Sequence, residues 1–301
     1  MSVTVSKLTK IYDEQKAVDG VSFNVQRGEV LGFLGPNGAG KSTTMKIITC
    51  FIPQTAGKVE VSGIDTLANP NEVKKKIGYL PESNPLYYDM YVREYLQFIA
   101  GLHPNIKNKT QRVNEMVGIT GLERERNKKI GALSKGYKQR VGLAQCMLHD
   151  PEVLIMDEPT SGLDPNQIVE VRKLIQQLGQ EKTVILSTHI MQEVQAMCNR
   201  VVIINKGKLV ADSTVDQLRA QTNDAEVLAV GFKEHVETSA LENIRDVIRV
   251  EKSGPTTWRI YSKRNIQEDV FRFAVDNKLT VLSLNRERES LEDIFRQLTN
   301  D

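Results

Sequence analysis

Hydrophobic residues recur with two different periods along this chain, and each period predicts a different kind of element. Residues 2–34 largely alternate apolar and polar positions, as at Val3, Val5 and Leu8, which is typical of strands with one exposed face. Other runs are apolar at nearly every position, and we interpret them as buried strands of an α/β sheet. These runs cover residues 29–34, 153–158 and 183–189.

Helical spacing follows the first buried run and dominates residues 92–127. Tyr95 and Phe98 fall on one face of the predicted helices, and Val113 and Met116 fall on another. This pattern predicts a helical insert, at about residues 83–150, in an α/β domain that covers residues 1–222. Further helices are predicted at residues 133–147 and 165–181 and from residue 215.

The composition changes at about residue 223, and strand and helix patterns then follow the order β-α-β-β-α-β. This order suggests a small ferredoxin-like α+β domain over residues 223–301, with Trp258 in its core. The strands are predicted at residues 226–232, 247–251, 257–261 and 279–284, the helices at 236–244 and 266–277, and a closing helix starts at Ser290.

Charge and cysteine content restrict the possible partners of the chain. Formal net charge is +2, from 40 Lys and Arg against 38 Asp and Glu, so no nucleic-acid partner is expected. The three cysteines are scattered without a C-x-x-C pair, which fits a reducing cytoplasm. We see neither a secretory leader nor an apolar run of bilayer-spanning length, so we expect any membrane role to come through a partner.

The first buried run leads into a sequence that fits the phosphate-loop pattern G-x-x-x-x-G-K-[ST] at every position. Glycines turn backbone N–H groups toward an anion, and the following helix adds its positive end. A glycine-rich turn that binds nothing is the alternative, but the strand, loop and helix context favours phosphate binding. The predicted phosphate-binding residues are Gly35, Asn37, Gly38, Ala39, Gly40, Lys41, Ser42 and Thr43.

Acidic and imidazole side chains end the other predicted strands. With a phosphate loop present, Asp157 and the Ser42 hydroxyl are predicted ligands of Mg²⁺, because a hard dication prefers oxygen. Glu158 is placed to polarise a water molecule for attack on the γ-phosphate. His189 could bind a phosphate oxygen and hold that water, or it could be structural. Glu82 also ends a strand, where polar groups reach ligands in α/β sheets.

Residues 133–140 open a long helix, and Ser134 and Gly136 are ordinary capping residues there. Its N-terminus would nevertheless form a second anion site, and two such sites suggest one composite site shared by two chains. Asp164 suits the N-cap of the next helix. Tyr12 could stack on a nucleotide base or simply be half-buried.

Together these segments resemble the ATP-binding subunits of ABC transporters over residues 2–222. The resemblance implies an ATPase cassette with an antiparallel β subdomain and a helical subdomain, and catalytic roles for Lys41, Glu158 and His189. It also implies that Tyr12 stacks on adenine and that Asp164 lies in a dimer-contacting loop. The family's signature motif, which acts in trans, corresponds to Ser134, Lys135, Gly136 and Tyr137.

The sequence departs from the usual family pattern at two places. Lys135 and Tyr137 replace the first glycine and the glutamine of L-S-G-G-Q, while Ser134 and Gly136 are retained. Glu82 stands where the family usually has a glutamine that touches Mg²⁺. An ionised carboxylate accepts but cannot donate a hydrogen bond, so metal contact is retained and a donated bond is lost.

Residues 78–82 and 133–137 resemble the type-two exporters, whose ATPase is a separate chain from the permease. The whole chain is similar to the ATP-binding component associated with gliding motility in some bacteria. This resemblance implies an ATP-dependent homodimer that drives export through a multi-helix permease, from the cytoplasmic face of the inner membrane. The transport pathway, and with it the choice of substrate, is expected to lie in that other chain.

Three other functions compete with this hypothesis. A soluble ABC protein that remodels ribosomes or DNA would resemble tandem cassettes or carry long coiled coils, and this chain shows one uninterrupted cassette without a basic surplus. A non-catalytic nucleotide-gated module would not need Glu158 and His189. A small-molecule kinase would leave residues 133–140 and 161–164 unexplained.

Overall fold

The computed structural model describes residues 1–221, 226–288 and 291–299. They form two structural units, Met1–Val215 and Asp216–Asp301. The boundary predicted between residues 222 and 223 and the helix start predicted at Ser290 lie outside the described residues.

The first unit contains most of the strands and helices. Its strands are β1 (Val3–Tyr12), β2 (Gln15–Val25), β3 (Val30–Leu34), β4 (Ala56–Val61), β5 (Ile64–Asp65), β6 (Ile77–Leu80), β7 (Val153–Asp157), β8 (Thr183–Thr188), β9 (Arg200–Asn205) and β10 (Lys208–Thr214). Its helices are α1 (Lys41–Ile48), α2 (Pro70–Lys76), α3 (Val92–Gly101), α4 (Lys109–Ile119), α5 (Lys135–Met147), α6 (Pro165–Gly179) and α7 (Met191–Met197). Helix α8 (Val215–Gln221) follows at the junction of the two units.

Two sheets form the framework of the first unit. An antiparallel sheet has the order β2-β1-β4-β5, and a larger sheet has the order β10-β9-β3-β8-β7-β6. Strands β9, β3, β8, β7 and β6 are parallel, and β10 is antiparallel to β9. The α/β cassette with an antiparallel subdomain, which the sequence predicted, is therefore confirmed.

Apolar side chains on the two faces of the parallel sheet enter two separate cores. On β7, Val153 and Ile155 belong to the core shared with α1 and the antiparallel sheet. Leu154 and Met156 of the same strand belong to the core shared with α3, α4, α5 and α6. Burial on both faces explains why β7 is apolar at every position before Asp157.

The predicted helical insert corresponds to α3, α4 and α5, with a short 3₁₀ turn at Ile130–Ala132 before α5. His103, after α3, stacks on His149, after α5, with ring centroids 4.5 Å apart and an interplanar angle of 5°. Burial lowers the pKa of both imidazoles, and the neighbouring His103 lowers that of His149 further. The His149 Nε2–H donates to the Ile77 carbonyl at 2.9 Å. The stacked pair is therefore suited to the neutral form.

This pair predicts a loss of stability in acid. Because the folded-state pKa of His149 lies below the unfolded value of about 6.5, the unfolded chain binds more protons as the pH falls below that value. We expect the melting temperature to fall less between about pH 7.5 and about pH 5.5 in His149→Gln than in the wild type. Gln keeps an N–H donor for Ile77, and exposed His235→Gln is the control. Equal slopes in all three proteins, measured by calorimetry, would contradict the prediction.

The second unit contains β11 (Glu226–Phe232), α9 (Thr238–Glu242), β12 (Val247–Lys252), β13 (Thr257–Ser262), α10 (Gln267–Asp276), β14 (Val281–Arg288) and α11 (Leu291–Thr299). Its antiparallel sheet has the order β12-β13-β11-β14, so the first strand of the unit lies between the third and the fourth. This is the ferredoxin-like arrangement that the sequence suggested. Trp258 is fully buried in its core with Phe232 and Ile260.

Candidate functional site

The register of the parallel sheet brings the carboxyl ends of four strands to one edge. Leu34 of β3 pairs with Thr188 of β8, and Ser187 of β8 pairs with Asp157 of β7. Leu80 of β6 pairs with Met156 of β7. The phosphate loop, His189, Glu158 and Glu82 each follow one of these strand ends, so the sheet assembles residues that are distant in sequence.

The phosphate loop connects β3 to α1 in the predicted way. Gly38 and Gly40 have φ angles of 78° and 108°, in the left-handed region where glycine is favoured. A Cβ atom on Gly40 would also lie 2.5 Å from the Ala17 carbonyl oxygen. Gly40 is the N-cap of α1 and, having no side chain, leaves the helix end uncapped. The first N–H groups of α1 therefore face a space that suits an anion.

Three candidate catalytic side chains are in contact at this edge. Lys41, which is 6% exposed, donates through Nζ to the carbonyl oxygens of Gly35 at 2.8 Å and Pro36 at 3.2 Å. The same Nζ lies 3.5 Å from Glu158 Oε1. His189 Nδ1 lies 3.0 Å from Glu158 Oε2. Glu158 is 8% exposed, so its carboxylate is held between two nitrogen donors in a largely buried position.

The backbone around Glu158 is fixed by β8. Glu158 has a φ of 50°, which is uncommon for a residue other than glycine. Its N–H donates to the carbonyl oxygen of Ser187 at 3.2 Å and to the hydroxyl oxygen at 3.0 Å. The Ser187 hydroxyl in turn donates to Asp157 Oδ1. Ser187 therefore orients both acidic residues.

Two adjoining cavities of about 710 and 540 Å³ open at this edge. The larger is lined by residues that include Asn37, Lys41, Glu158, Ser161 and His189. A volume of this size suits a nucleotide-sized ligand. Six of the eight predicted phosphate-binding residues and all three predicted catalytic residues therefore line the larger cavity, whereas Gly35 and Ala39 lie outside its described lining.

The smaller cavity contains the candidate metal ligands Ser42, Glu82 and Asp157. No cluster of three or more His, Cys, Asp or Glu in the described ranges could hold a metal by itself. One hydroxyl and two carboxylates suit Mg²⁺, which uses few carboxylates together with substrate phosphates. Burial, and next the Asp157 carboxylate, raise the pKa of Tyr79 in this cavity, so its hydroxyl stays neutral. The donor set therefore fits a magnesium nucleotide.

The signature residues lie at the N-terminus of α5. Ser134 is the N-cap, and its hydroxyl accepts from the Tyr137 N–H at 3.4 Å. Gly136 packs against the Gln167 side chain of α6, and the Lys135 ammonium lies against Gly162. Within the described chain, Ser134, Lys135, Gly136 and Tyr137 are absent from the lining of the larger cavity. Asp164 caps α6 by accepting from the Gln167 N–H at 2.9 Å.

Tyr12 ends β1 at a hairpin and is 45% exposed. It pairs with Gln15, which does line the larger cavity, and Lys10 Nζ lies 5.1 Å from its ring centroid. Among the described residues, the cavity lining includes Gln15, Lys16 and Ala17 but not Tyr12. The aromatic ring is therefore close to the candidate nucleotide site while remaining open to solvent.

Sequence reasoning missed helix α7 and its buried residue Glu193. Met191, Val194 and Met197 have a helical spacing that could have indicated this helix. No comparable signal distinguishes Glu193 from an exposed polar position. Sequence reasoning also missed Gln139, whose buried amide donates to the Pro159 carbonyl at 3.0 Å.

The fold and this site define a phosphate-loop ATPase, and comparison with known proteins specifies the family. Residues 18–161 match the family model described as "ABC transporter". The chain is 35% identical to the bacitracin transport ATP-binding protein BcrA of Bacillus licheniformis, over 98% of this chain and 96% of that protein. It is 33% identical to the linearmycin resistance ATP-binding protein LnrL of Bacillus subtilis (strain 168), over 97% and 96%.

Solved structures agree with this assignment. The dimeric structure of MJ0796, a bacterial ABC transporter cassette, has a TM-score of 0.65 and 26% identity, over 71% of this chain and 98% of that chain. A post-hydrolysis state of that cassette bound to ADP and Pi gives the same values. The chain belongs to the ATP-binding subunits of ABC transporters, and it is an ATPase.

Proposed function

We propose that two copies of this chain enclose two ATP molecules and drive export through a separate membrane permease. In this arrangement each ATP lies between the phosphate loop of one copy and Ser134 and Gly136 of the other. The placement of these two residues outside the cavity of their own chain supports such a shared site. The dimeric MJ0796 cassette supports it further. Lys135, Tyr137 and Asp164 would lie in the same interface.

The contact of Glu158 with both Lys41 and His189 carries the catalytic part of this proposal. Lys41 binds the β- and γ-phosphates and neutralises charge that develops on the transferred group. Glu158 accepts a hydrogen bond from the attacking water, and His189 orients that water and the γ-phosphate. Positioning and electrostatics would supply most of the rate enhancement.

Ser42, Asp157 and Glu82 are the residues that would hold Mg²⁺. The ion, when bound, neutralises charge on the β- and γ-phosphate oxygens. Glu82 offers the metal a carboxylate oxygen but no N–H donor. We propose that Tyr12 stacks on adenine, since it borders Gln15 at the edge of the cavity.

The proposals of a separate permease and of export rest on similarity to other proteins. In the described part of the chain, no helix has the length and apolar character needed to cross a bilayer. BcrA and LnrL are named for bacitracin transport and linearmycin resistance, which supports a role in export. The assignment to type-two exporters stays a prediction from the sequence. We therefore propose a peripheral position on the cytoplasmic face of the cell membrane. The similarity to gliding-motility components stays a prediction from the sequence.

Co-purification from membranes tests this proposal. A tagged Glu158→Gln variant, expressed from the chromosome, is isolated from detergent-solubilised membranes with ATP present, and its partners are identified by mass spectrometry. We expect a stoichiometric multi-helix membrane protein. A Lys41→Ala variant, which should bind ATP poorly, is the matched control and should retain less of this partner if association depends on ATP.

Other partners would change the conclusion in a defined way. Ribosomal proteins or DNA-bound proteins without a permease would overturn the transport role and favour a soluble remodelling ATPase. Such a result would leave the assignment of the ATPase residues intact, because those residues act on nucleotide in both cases.

A further inference from the structure

We propose that Glu193 is a positioning residue for the ATPase site, and that its carboxylate sets the placement of Glu158 and His189 relative to each other. This inference rests on the catalytic roles proposed above for those two residues. Glu193 lies on α7 and is 1% exposed. In the described part of the chain it is not among the residues that line either cavity. It would therefore act through its neighbours.

Both oxygens of the Glu193 carboxylate accept hydrogen bonds from threonine hydroxyls. Oε1 accepts from Thr160, and Oε2 accepts from Thr188 at 2.6 Å. Thr160 is two residues after Glu158, and Thr188 immediately precedes His189. Both threonines are buried. One carboxylate thus joins the two loops that carry the proposed catalytic groups.

The turn at His189 is held on both sides by this arrangement. The Thr188 hydroxyl donates to Glu193 and accepts from the Ile190 N–H at 3.1 Å. His189 lies between these two residues and reaches Glu158 through Nδ1. A shift of Thr188 would therefore move the imidazole relative to the Glu158 carboxylate.

The same network reaches the signature helix. Gln139 of α5 donates through its buried amide to the Pro159 carbonyl, one residue before Thr160. The segment from Glu158 to Thr160 is consequently held by Ser187 of β8, Gln139 of α5 and Glu193 of α7. Through Pro159 and Thr160, Glu193 also connects the hydrolytic centre with the helix that begins at the signature motif.

The chemistry of this position favours a carboxylate over an amide. An ionised carboxylate can accept from both hydroxyls at once, whereas glutamine offers one carbonyl oxygen and two N–H donors. A buried charge is costly unless it is hydrogen-bonded or paired, and in the described part of the chain Arg172 Nη2 lies 4.0 Å from Oε1. The two threonine hydroxyls supply the hydrogen bonds that this carboxylate accepts.

The test uses the full-length chain and compares Glu193→Gln, Thr160→Val and Thr160→Ser with the wild type. We expect Glu193→Gln and Thr160→Val to lower kcat for ATP hydrolysis about tenfold, because a misplacement of about 1 Å can cost about 100-fold and each variant keeps part of the network. KM for ATP should change less than about twofold, since the phosphate loop is untouched. Thr160→Ser keeps the hydroxyl and should retain most of kcat.

A second measurement separates positioning from stability. The chain has four histidines, so side-chain NMR of the imidazoles is tractable. We expect the His189 resonances to move in Glu193→Gln while those of the stacked pair His103 and His149 stay in place. Gln192→Glu, an exposed amide-to-carboxylate change on the same helix, should leave both kcat and the His189 resonances as in the wild type.

Two results would overturn the inference: a kcat of Glu193→Gln within twofold of the wild type, or His189 resonances that do not move. If Glu193→Gln does not fold, Thr160→Val still tests the inference, because it removes one hydrogen bond and keeps the shape of the side chain. An error in the catalytic roles of Glu158 and His189 would give a different result from an error in the role of Glu193. In that case Glu158→Gln and His189→Ala would themselves hydrolyse ATP at the wild-type rate, whatever Glu193→Gln does.

Discussion

A Glu158→Gln variant is expected to bind ATP with wild-type affinity and to hydrolyse it at least about 100-fold more slowly, the usual scale for loss of a general base. The amide has the same size as the carboxylate, so the backbone at φ 50° and its bonds to Ser187 can persist. The amide cannot accept a proton from the attacking water, as a carboxylate base does. Phosphate release measures turnover, and binding of a fluorescent ATP analogue measures affinity.

The same variant should accumulate as an ATP-bound dimer, because the shared site forms and is not emptied by hydrolysis. Light scattering after gel filtration, with and without ATP and Mg²⁺, measures this state. Glu181→Gln, an exposed change outside the site, is the control and should behave as the wild type. Wild-type turnover in Glu158→Gln would contradict the role of Glu158, and a monomer under all conditions would contradict the trapped dimer.

The parts of this site that the sequence predicted are those that depend on short segments. The phosphate loop has its own pattern of glycines, and the apolar runs before Asp157 and His189 are long enough to identify β7 and β8. An α/β sheet places such strand ends at one edge, so the proximity of Lys41, Glu158 and His189 follows once the strands are known. The second unit was predictable for the same reason, since its six main elements follow one another in local patterns.

The parts that the sequence did not predict depend on contacts between distant segments. Glu193 lies on a seven-residue helix and resembles an exposed residue until Thr160 and Thr188 are placed beside it. The contact of Lys135 with Gly162 likewise joins α5 to a loop after β7. The left-handed backbone of Glu158 has no signal in the sequence, because glutamate does not favour that conformation. Tertiary packing determines all three.

Replacing Lys41 by Ala is expected to weaken ATP binding roughly 100-fold, since a hydrogen bond to a charged group contributes about 1.5–3 kcal/mol and Lys41 is placed to make more than one such bond. The substitution also leaves the buried Glu158 carboxylate without the ammonium that lies 3.5 Å away. That carboxylate would then face the triphosphate and repel it. Titration with a fluorescent ATP analogue measures the loss, and retained affinity would count against the phosphate-loop assignment.

A double variant separates the two contributions. If repulsion by Glu158 is part of the loss, Lys41→Ala combined with Glu158→Gln should bind ATP more tightly than Lys41→Ala alone, by about tenfold if one uncompensated charge accounts for half of the effect. Equal affinity of the single and double variants would place the whole loss in the contacts of Lys41 with phosphate. Tighter binding would show that Lys41 has two roles, because it then both binds the triphosphate and neutralises the carboxylate beside it.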